Sequence, residues 1–261
     1  MVEGQAAESS VAGRRAGELS IAVPEYRTKA DVVYTSLRQL LLSAELLPGE
    51  VIDQERISKL LGVSRMPLRQ ALIRLASDGL VTLSPHHSAT VTPMLADEIS
   101  EIYATREAIE TLLTRVAMQR LTSDDYADLV ELAAETRRRA EHGTPREFAE
   151  VDRQFHMRLY RVGGYGRALG YFEKLRDLSD RYVAVYYSHQ RGKFARDALL
   201  STGCHEGILA ACAARDSRAA VRAMRADLRR TAADLMMIAA GPGAGAPTPV
   251  TLLDGTDPEL G

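Results

Sequence analysis

The chain has 261 residues and a formal net charge of −2, so it is long enough for two domains and has no overall basic field. A protein that coats polyanions through its total charge is thereby excluded. No apolar run approaches the length of a transmembrane helix, and the N-terminus lacks the apolar core of a signal peptide. The two cysteines, Cys204 and Cys212, would lie roughly 12 Å apart along one helix, too far for a disulfide. We therefore expect a cytoplasmic protein in a reducing compartment, with no membrane partner.

Both ends of the chain are rich in small residues. Residues 1–24 are small, polar and rich in glycine and alanine, and residues 241–261 begin with Gly-Pro-Gly-Ala-Gly. Segments of this composition bury too little apolar surface to offset the entropy lost on ordering. We expect two flexible tails, with a first domain over residues 25–93 and a second domain over residues 94–240 between them.

The first domain begins with two predicted helices separated by a turn. Residues 29–44 carry apolar side chains at helical spacing, and a turn follows at Leu47-Pro48-Gly49. A second, short helix is predicted from Asp53 to Leu61. Gly62 comes next, at the position after a helix where glycine is favoured.

Residues 61–80 form the most informative segment of the chain. Ser64 can cap a helix, and Pro67 is tolerated in the first turn because the N–H groups there have no partner within the helix. Four apolar side chains then recur at helical spacing and can face a core: Leu68, Ala71, Leu72 and Leu75.

The same predicted helix carries a basic face. Arg65 and Arg69 lie four residues apart, and no Asp or Glu occurs between Arg56 and Ser77. The positive N-terminal end of a helix with two stacked arginines suits the phosphates and the guanine edges of a DNA major groove. An ordinary amphipathic helix with solvated arginines explains this face equally well when the helix is considered alone.

The segments that follow favour the DNA-binding interpretation. Residues 80–83 and 89–92 are two short runs of β-prone side chains, joined by residues 84–88. Three helices followed by a small hairpin are the arrangement of a winged helix-turn-helix.

In this order the residues resemble those of the GntR family of bacterial transcription regulators. The resemblance covers residues 26–93 and includes Pro48-Gly49, Gly62–Leu72, Leu75 and Asp78-Gly79-Leu80. It implies that Arg65 and Arg69 are the main DNA-contacting arginines and that Ser64 contacts the DNA backbone. Arg56 is a further basic candidate on the preceding helix.

The resemblance also implies that the wing, residues 84–88, enters the minor groove. Ser88 stands where glycine is usual in the family. His86 and His87 supply hydrogen-bond donors in this loop, so we expect them to contribute the wing contacts.

From Met94 to Ala240 the sequence predicts helices almost throughout. Breaks are expected near residues 121–123, 142–145, 163–166, 191–192 and 215–216. Six helices result, and an antiparallel bundle is the economical fold for them. The chain is thus expected to be mainly α, with a winged helix-turn-helix of three helices and a β-hairpin followed by an all-α antiparallel helical bundle.

Four polar side chains in the predicted bundle have the chemistry of metal ligands. Asp152 and His156 are four residues apart and project from the same helical face, while His205 and Asp227 lie on two later helices. Two carboxylates and two imidazoles suit zinc, nickel, manganese or iron. Spacing alone also fits a polar pair or a satisfied core histidine, and Asp227 also fits an exposed polar residue.

The second half of the chain resembles the all-helical ligand-binding domain called FCD, which follows the winged helix in the FadR-like subfamily. The matching segments are Arg106–Glu110, Asp152–His156, His205–Ala211 and Asp216–Ala220. The resemblance implies a divalent metal ion, zinc before the alternatives, held by Asp152, His156 and His205. Metal-binding members use a fourth histidine where this chain has Asp227, and an aspartate can also bind a metal.

The same resemblance implies a small carboxylate effector in the bundle. Arg106 can hold its carboxylate in a fork, or can simply pair with Glu110 four residues on. Tyr103 and Arg176 are further candidates for lining this cavity, although their periodicity suits plain packing equally well.

Two classes of function remain open from the sequence. In the first, the protein is a homodimeric, ligand-responsive regulator, usually a repressor, that binds double-stranded operator DNA. In the second, the bundle is a metalloenzyme that activates water with Asp152, His156 and His205. The enzyme class lacks a paired general base near these ligands and does not explain the helix with Arg65 and Arg69. We expect a regulator and no enzyme, with a purely structural metal as a variant.

Overall fold

The computed structural model describes residues 27–84, 88–189 and 194–240. In these ranges the chain forms nine helices and three short strands, which confirms the expected mainly α fold. The N-terminal elements are α1 (Lys29–Leu42), β1 (Val51–Ile52), α2 (Gln54–Leu61), α3 (Arg65–Ser77), β2 (Val81–Leu83) and β3 (Ala89–Val91). The C-terminal elements are α4 (Ala96–Arg120), α5 (Ser123–His142), α6 (Pro145–Val162), α7 (Gly166–His189), α8 (Phe194–Ala213) and α9 (Ser217–Ala240). The expected tails and the wing residues His86 and His87 lie outside the described residues.

Elements α1 to β3 form a winged helix unit around one apolar cluster. Leu37 of α1 and Leu68 and Leu72 of α3 are fully buried in this cluster. Gly62 ends α2 at φ 62°, in the left-handed conformation that glycine adopts without steric cost. This tight reversal lets the chain enter α3 at an angle to α2, as a helix-turn-helix requires.

The three strands form one antiparallel sheet in the order β1-β3-β2. Strands β2 and β3 are the hairpin that the sequence predicts. Strand β1 is an addition to that prediction, because Val51 pairs with Thr90 and Ile52 pairs with Ala89. A strand of two residues shows no alternation of apolar and polar side chains, so its sequence has no pattern to detect.

Elements α4 to α9 form the helical bundle around a second apolar cluster. Helix α4 packs against α6, α7 and α9, and α5 packs against α6 and α8. Capping boxes at Thr122–Asp125 and Thr144–Glu147 start α5 and α6, because each threonine and acid satisfy N–H groups of the first turn. In the described part of the chain the six predicted helices are present. None of the described helices is both long and apolar enough to span a bilayer.

Helix α7 connects the bundle to the winged helix unit through a buried arginine. Arg181 is 1% exposed. Its guanidinium group pairs with Glu98 of α4 at 3.0 Å. It also donates hydrogen bonds of 3.4–3.5 Å to three main-chain carbonyl oxygens of the winged helix unit and its exit: Gly79, Leu80 and Thr92. This one side chain therefore ties α7 to the turn before β2 and to the residue after β3.

Apolar and ionic contacts extend the same junction. Leu178 of α7 packs against both apolar clusters. Gly79 has φ 75°, and a Cβ atom there would lie 3.3 Å from Cδ2 of Leu178, so glycine permits both the turn and the close approach. Asp177 of α7 accepts a hydrogen bond of 2.8 Å from Nε of Arg38 on α1. The two units thus dock through both apolar and charged contacts.

We expect Arg181→Met to lower the free energy of unfolding by about 1–3 kcal/mol, because Glu98 would lose its ion-pair partner and the carbonyl oxygen of Thr92 would lose this donor. Urea denaturation measures this change. Arg161→Met, which removes an exposed arginine of α6, is the matched control and should stay within about 0.5 kcal/mol of wild type. Equal losses in the two variants would contradict an anchoring role for Arg181.

Candidate functional site

Helix α3 has one buried face and one solvent face. Leu68 and Leu72 are buried in the winged helix unit, while Arg65 and Arg69 are exposed. Met66 lies beside them and is 66% exposed. The structure therefore leaves the two predicted DNA-contacting arginines accessible from outside the protein.

The other polar residues of this segment differ in their availability. Arg74 forms a salt bridge of 2.5 Å with Asp31, and its guanidinium carbon lies 4.3 Å from the ring centre of Tyr34. Arg56 is exposed in the first turn of α2. Ser64 occupies the N-cap of α3 and is exposed, but its side chain makes no capping hydrogen bond. Arg56 and Ser64 are thus open to an external partner, whereas Arg74 is held within the unit.

Helices α6 and α8 bring three of the predicted metal ligands together inside the bundle. One ligand atom each from Asp152, His156 and His205 lies within 4.8 Å of the other two. The Nε2 atom of His205 is 3.2 Å from Oδ1 of Asp152 and 3.3 Å from Nε2 of His156. The Nε2 atom of His156 is 3.9 Å from the same Oδ1. All three residues are buried.

The spacing of these atoms fits a divalent ion. Ligands held at about 2.1 Å from a tetrahedral ion lie about 3.4 Å from one another. The observed separations of 3.2, 3.3 and 3.9 Å are close to that value. Within the described part of the protein, the Nδ1 atoms of His156 and His205 have no hydrogen-bond partner. Among the described residues, no hydrogen bond at Nδ1 therefore holds either imidazole ring in place.

Burial and neighbouring charges keep Asp152 and His156 in forms that can bind a metal. Burial raises the pKa of the Asp152 carboxyl, but the guanidinium of Arg176 and the hydrogen bond from His205 outweigh burial and hold this pKa well below its usual range. Burial lowers the pKa of His156 well below its usual range. The carboxyl group is therefore ionised and the His156 imidazole is neutral, and both forms offer lone pairs to a metal.

Aromatic packing sets the orientation of the two imidazoles. The Phe155 ring stacks on the His205 ring with centroids 3.9 Å apart and an interplanar angle of 25°. The His156 and His205 rings meet edge to face with centroids 5.1 Å apart. The ring planes are thus fixed by their neighbours, as preorganised ligands require.

A cavity of about 40 Å³ adjoins Asp152. Its lining includes the three residues that we predicted to bind the effector: Tyr103, Arg106 and Arg176. Burial raises the pKa of Tyr103 to about 12, and its hydroxyl has no hydrogen-bond partner among the described residues. A protonated phenol and two guanidinium groups around one cavity suit a carboxylate ligand.

Both arginines of this cavity are paired within the protein. Arg106 donates a hydrogen bond of 2.8 Å from Nε to Glu110. The sequence allowed Arg106 either to pair with Glu110 or to hold an effector carboxylate, and the structure shows the pair. Arg176 donates to Asp152 at 2.5 Å and to Asp180 at 2.6 Å. A ligand carboxylate at either arginine would therefore compete with a carboxylate of the chain.

Asp227 lies on the wall of the same cavity but outside the cluster of three ligands. Its Oδ1 accepts a hydrogen bond of 2.5 Å from Arg230 and one of 3.5 Å from the hydroxyl of Ser201. The structure thus brings three of the four predicted ligands together and leaves the fourth carboxylate paired with an arginine.

Sequence reasoning missed Asp180, which lines the cavity beside Arg176. The two residues are four apart on α7, and this spacing is a visible signal for an ion pair on one helical face. The signal was insufficient because the face of α7 that meets the cavity depends on the packing of the whole bundle.

Two family descriptions match the chain. "Bacterial regulatory proteins, gntR family" matches residues 29–91, which contain the winged helix unit, and "FCD domain" matches residues 101–230 of the bundle. The chain belongs to the GntR family. Its FCD domain fits the FadR-like subfamily that the sequence resembles.

Proteins of similar sequence are described as transcription regulators. The chain is 26% identical over 206 residues to the HTH-type transcriptional repressor RspR of Escherichia coli, with 79% of this chain and 88% of RspR covered. It is 32% identical over 142 residues to an uncharacterized HTH-type transcriptional regulator in an unstable DNA locus of Streptomyces ambofaciens, with 54% and 58% covered. The solved structure of E. coli McbR/YncC has the same fold, with a TM-score of 0.73, 22% identity and coverage of 82% and 99%.

These matches establish a transcription regulator. Both matched domains and the similar proteins are regulatory, so the metalloenzyme alternative is set aside.

Arg65→Ala and Arg69→Ala should each weaken specific operator binding by about 5- to 150-fold, since a good arginine–base contact is worth about 1–3 kcal/mol. Gel shift on the DNA upstream of the gene measures the affinity, and circular dichroism checks that the bundle stays folded. Arg161→Ala, on the surface of α6, serves as the matched control. Wild-type affinity of both α3 variants at equal salt would refute the assignment of this face.

Proposed function

We propose that this GntR-family regulator is a homodimeric, ligand-responsive repressor. In this proposal residues 25–93 bind operator DNA, and residues 94–240 bind a divalent metal, a small organic acid and the second copy of the chain. The observation that carries the proposal is the convergence of Asp152, His156 and His205 beside a cavity lined with arginines. A buried polar site of this kind cannot touch DNA itself, so in this proposal it controls DNA binding from inside the bundle.

The proposed DNA contacts come from the solvent face of α3, its flanks and the wing: Arg65, Arg69, Ser64, Arg56, His86 and His87. A symmetric dimer presents two such surfaces to two half-sites of double-stranded DNA. The description of RspR as a repressor supports repression over activation. A protein that binds bacterial operators works in the cytoplasm, where we place it.

The proposed metal ligands are Asp152, His156 and His205, with zinc as the favoured ion and nickel, manganese or iron as alternatives. When bound, the ion supplies a Lewis-acid position at which a carboxylate can attach. Asp227 stays the predicted fourth ligand, and to reach the cluster its carboxylate would have to leave Arg230.

The acid is oriented by residues of the cavity that contact its carboxylate. Tyr103 donates its free hydroxyl, and Arg106 and Arg176 offer planar guanidinium groups that match a carboxylate. The acid can change DNA binding only through a different affinity for the two arrangements of the winged helix units.

After reconstitution with zinc and dialysis, the wild type should hold about one ion per chain, measured by elemental analysis. His156→Ala and His205→Ala should lose most of it, because two of the three clustered donors are these imidazoles. Asp227→Ala should weaken binding less, since its carboxylate is paired with Arg230. His142→Ala removes an exposed imidazole and should keep the ion. A reconstituted wild type without metal would eliminate the site.

An acid that attaches at the bundle metal should change operator affinity by about 5- to 150-fold. Thermal-shift screening of small carboxylates, with and without divalent metals, identifies the acid. Operator titrations then compare wild type and His156→Ala, each with and without it. The variant should bind DNA but lose the response, because its missing side chain lies in the bundle. A full response in the variant would show that the metal is purely structural.

A further inference from the structure

Asp180 of α7 lies between two arginines. Its Oδ1 accepts a hydrogen bond of 2.6 Å from Nε of Arg176, and its Oδ2 accepts one of 3.0 Å from Nη1 of Arg153. Arg176 also donates from Nη2 to Oδ2 of Asp152 at 2.5 Å. Asp180 therefore shares Arg176 with a member of the candidate metal cluster.

Asp180 also separates two cavities. The inner cavity beside Asp152 measures about 40 Å³. An outer cleft of about 210 Å³ lies between α1 and α6, at the junction with the winged helix unit, and Arg38 and Arg153 line it. Asp180 and Ala149 line both spaces. A ligand that passes from the cleft into the cavity would have to pass these two side chains.

The inner cavity is too small for an organic acid in the arrangement observed. Ligand pockets typically measure about 300–1,000 Å³, and Arg176 already binds two carboxylates. A carboxylate that takes the edge of Arg176 formed by Nε and Nη2 must displace one of them. Displacement of Asp152 would disturb the cluster, because its Oδ1 lies 3.2 Å from His205. Displacement of Asp180 would leave the cluster intact, because Asp180 is not one of the three clustered ligands. Asp180 would also keep Arg153 as a partner.

We propose that Asp180 is an internal competitor of the effector. Its carboxylate occupies the place on Arg176 that the carboxylate of the effector takes, and its release carries the binding event to the winged helix unit. This inference rests on the proposed function, because it describes how the same site takes up its acid. The step is an exchange of hydrogen bonds on Arg176 and involves no covalent change.

Arg153 connects Asp180 to the winged helix unit through a series of ion pairs. This arginine bonds Asp177 at 2.7 Å and Asp180 at 3.0 Å. Asp177 in turn accepts a hydrogen bond of 2.8 Å from Arg38 on α1. Once Asp180 leaves Arg176, it pairs with Arg153 alone and draws that arginine from Asp177. The pairing of Asp177 with Arg38 then changes, and with it the docking of α1.

Asp180→Asn tests the competition because it keeps the side-chain volume and removes the competing charge. Arg176 keeps Asp152 as a partner in this variant, so we expect the fold to persist, and circular dichroism can check this. Asp180→Ser is a second variant that also removes the competing charge. Glu150→Gln is the matched control, since it removes the same charge from an exposed residue that lines the outer cleft. Formate and citrate are titrated by calorimetry into zinc-treated samples of each protein, and operator affinity is measured without acid.

Asp180→Asn should bind the probes more tightly than wild type and Glu150→Gln by a factor in the range of about 5 to 150. Its operator affinity without acid should already be shifted in the direction in which acid shifts the wild type. Equal probe affinities in Asp180→Asn and Glu150→Gln would overturn the inference about Asp180. The proposed function would still stand if acid changed the operator affinity of the wild type. Tighter binding in Asp180→Asn, with no acid response of wild-type operator binding, would support the competition and contradict the proposed function.

Discussion

Two pairs of charged side chains on α7, each four residues apart, join the bundle to the winged helix unit. Arg176 and Asp180 contact the inner cavity, while Asp177 and Arg181 contact the winged helix unit. The pairs are offset by one residue on the same helix, so a displacement of its backbone moves both of them. The cavity and the winged helix unit therefore both contact one helix, α7. Arg153 of α6 strengthens this arrangement, because it bridges one carboxylate from each pair.

The interior of the bundle contains more charge than folding requires. Arg106 and Glu110 form an ion pair with side chains 5% and 1% exposed, and the hydroxyl of Tyr160 donates to the same glutamate at 2.6 Å. A buried ion pair adds little net stability, because the cost of desolvating both groups offsets their attraction. Well-packed apolar side chains would hold the helices together at least as well. The retained charges would suit the polar ligand that we propose for this interior.

Local signals in the sequence account for the part of the fold that was predicted. Capping residues and glycine breaks act within a few positions, so the six bundle helices and the turn at Gly62 follow from sequence alone. Asp152 and His156 share a face for the same reason. The approach of His205 was predicted through the resemblance to a family, because it depends on how α8 packs on α6. The two-residue strand β1 and the pairing of Asp180 depend on contacts between distant segments, which no short window of sequence contains.

The bonds that Arg181 makes to the winged helix unit have a consequence for how such a regulator can diversify. Three of them end on main-chain oxygens, at Gly79, Leu80 and Thr92, and main-chain oxygens are present whatever the side chain. The solvent face of α3 takes no part in these bonds. Side chains on this face can therefore be exchanged, in evolution or by design, without loss of this attachment to the helical bundle. One helical bundle can in this way be combined with winged helix units that differ in their solvent face.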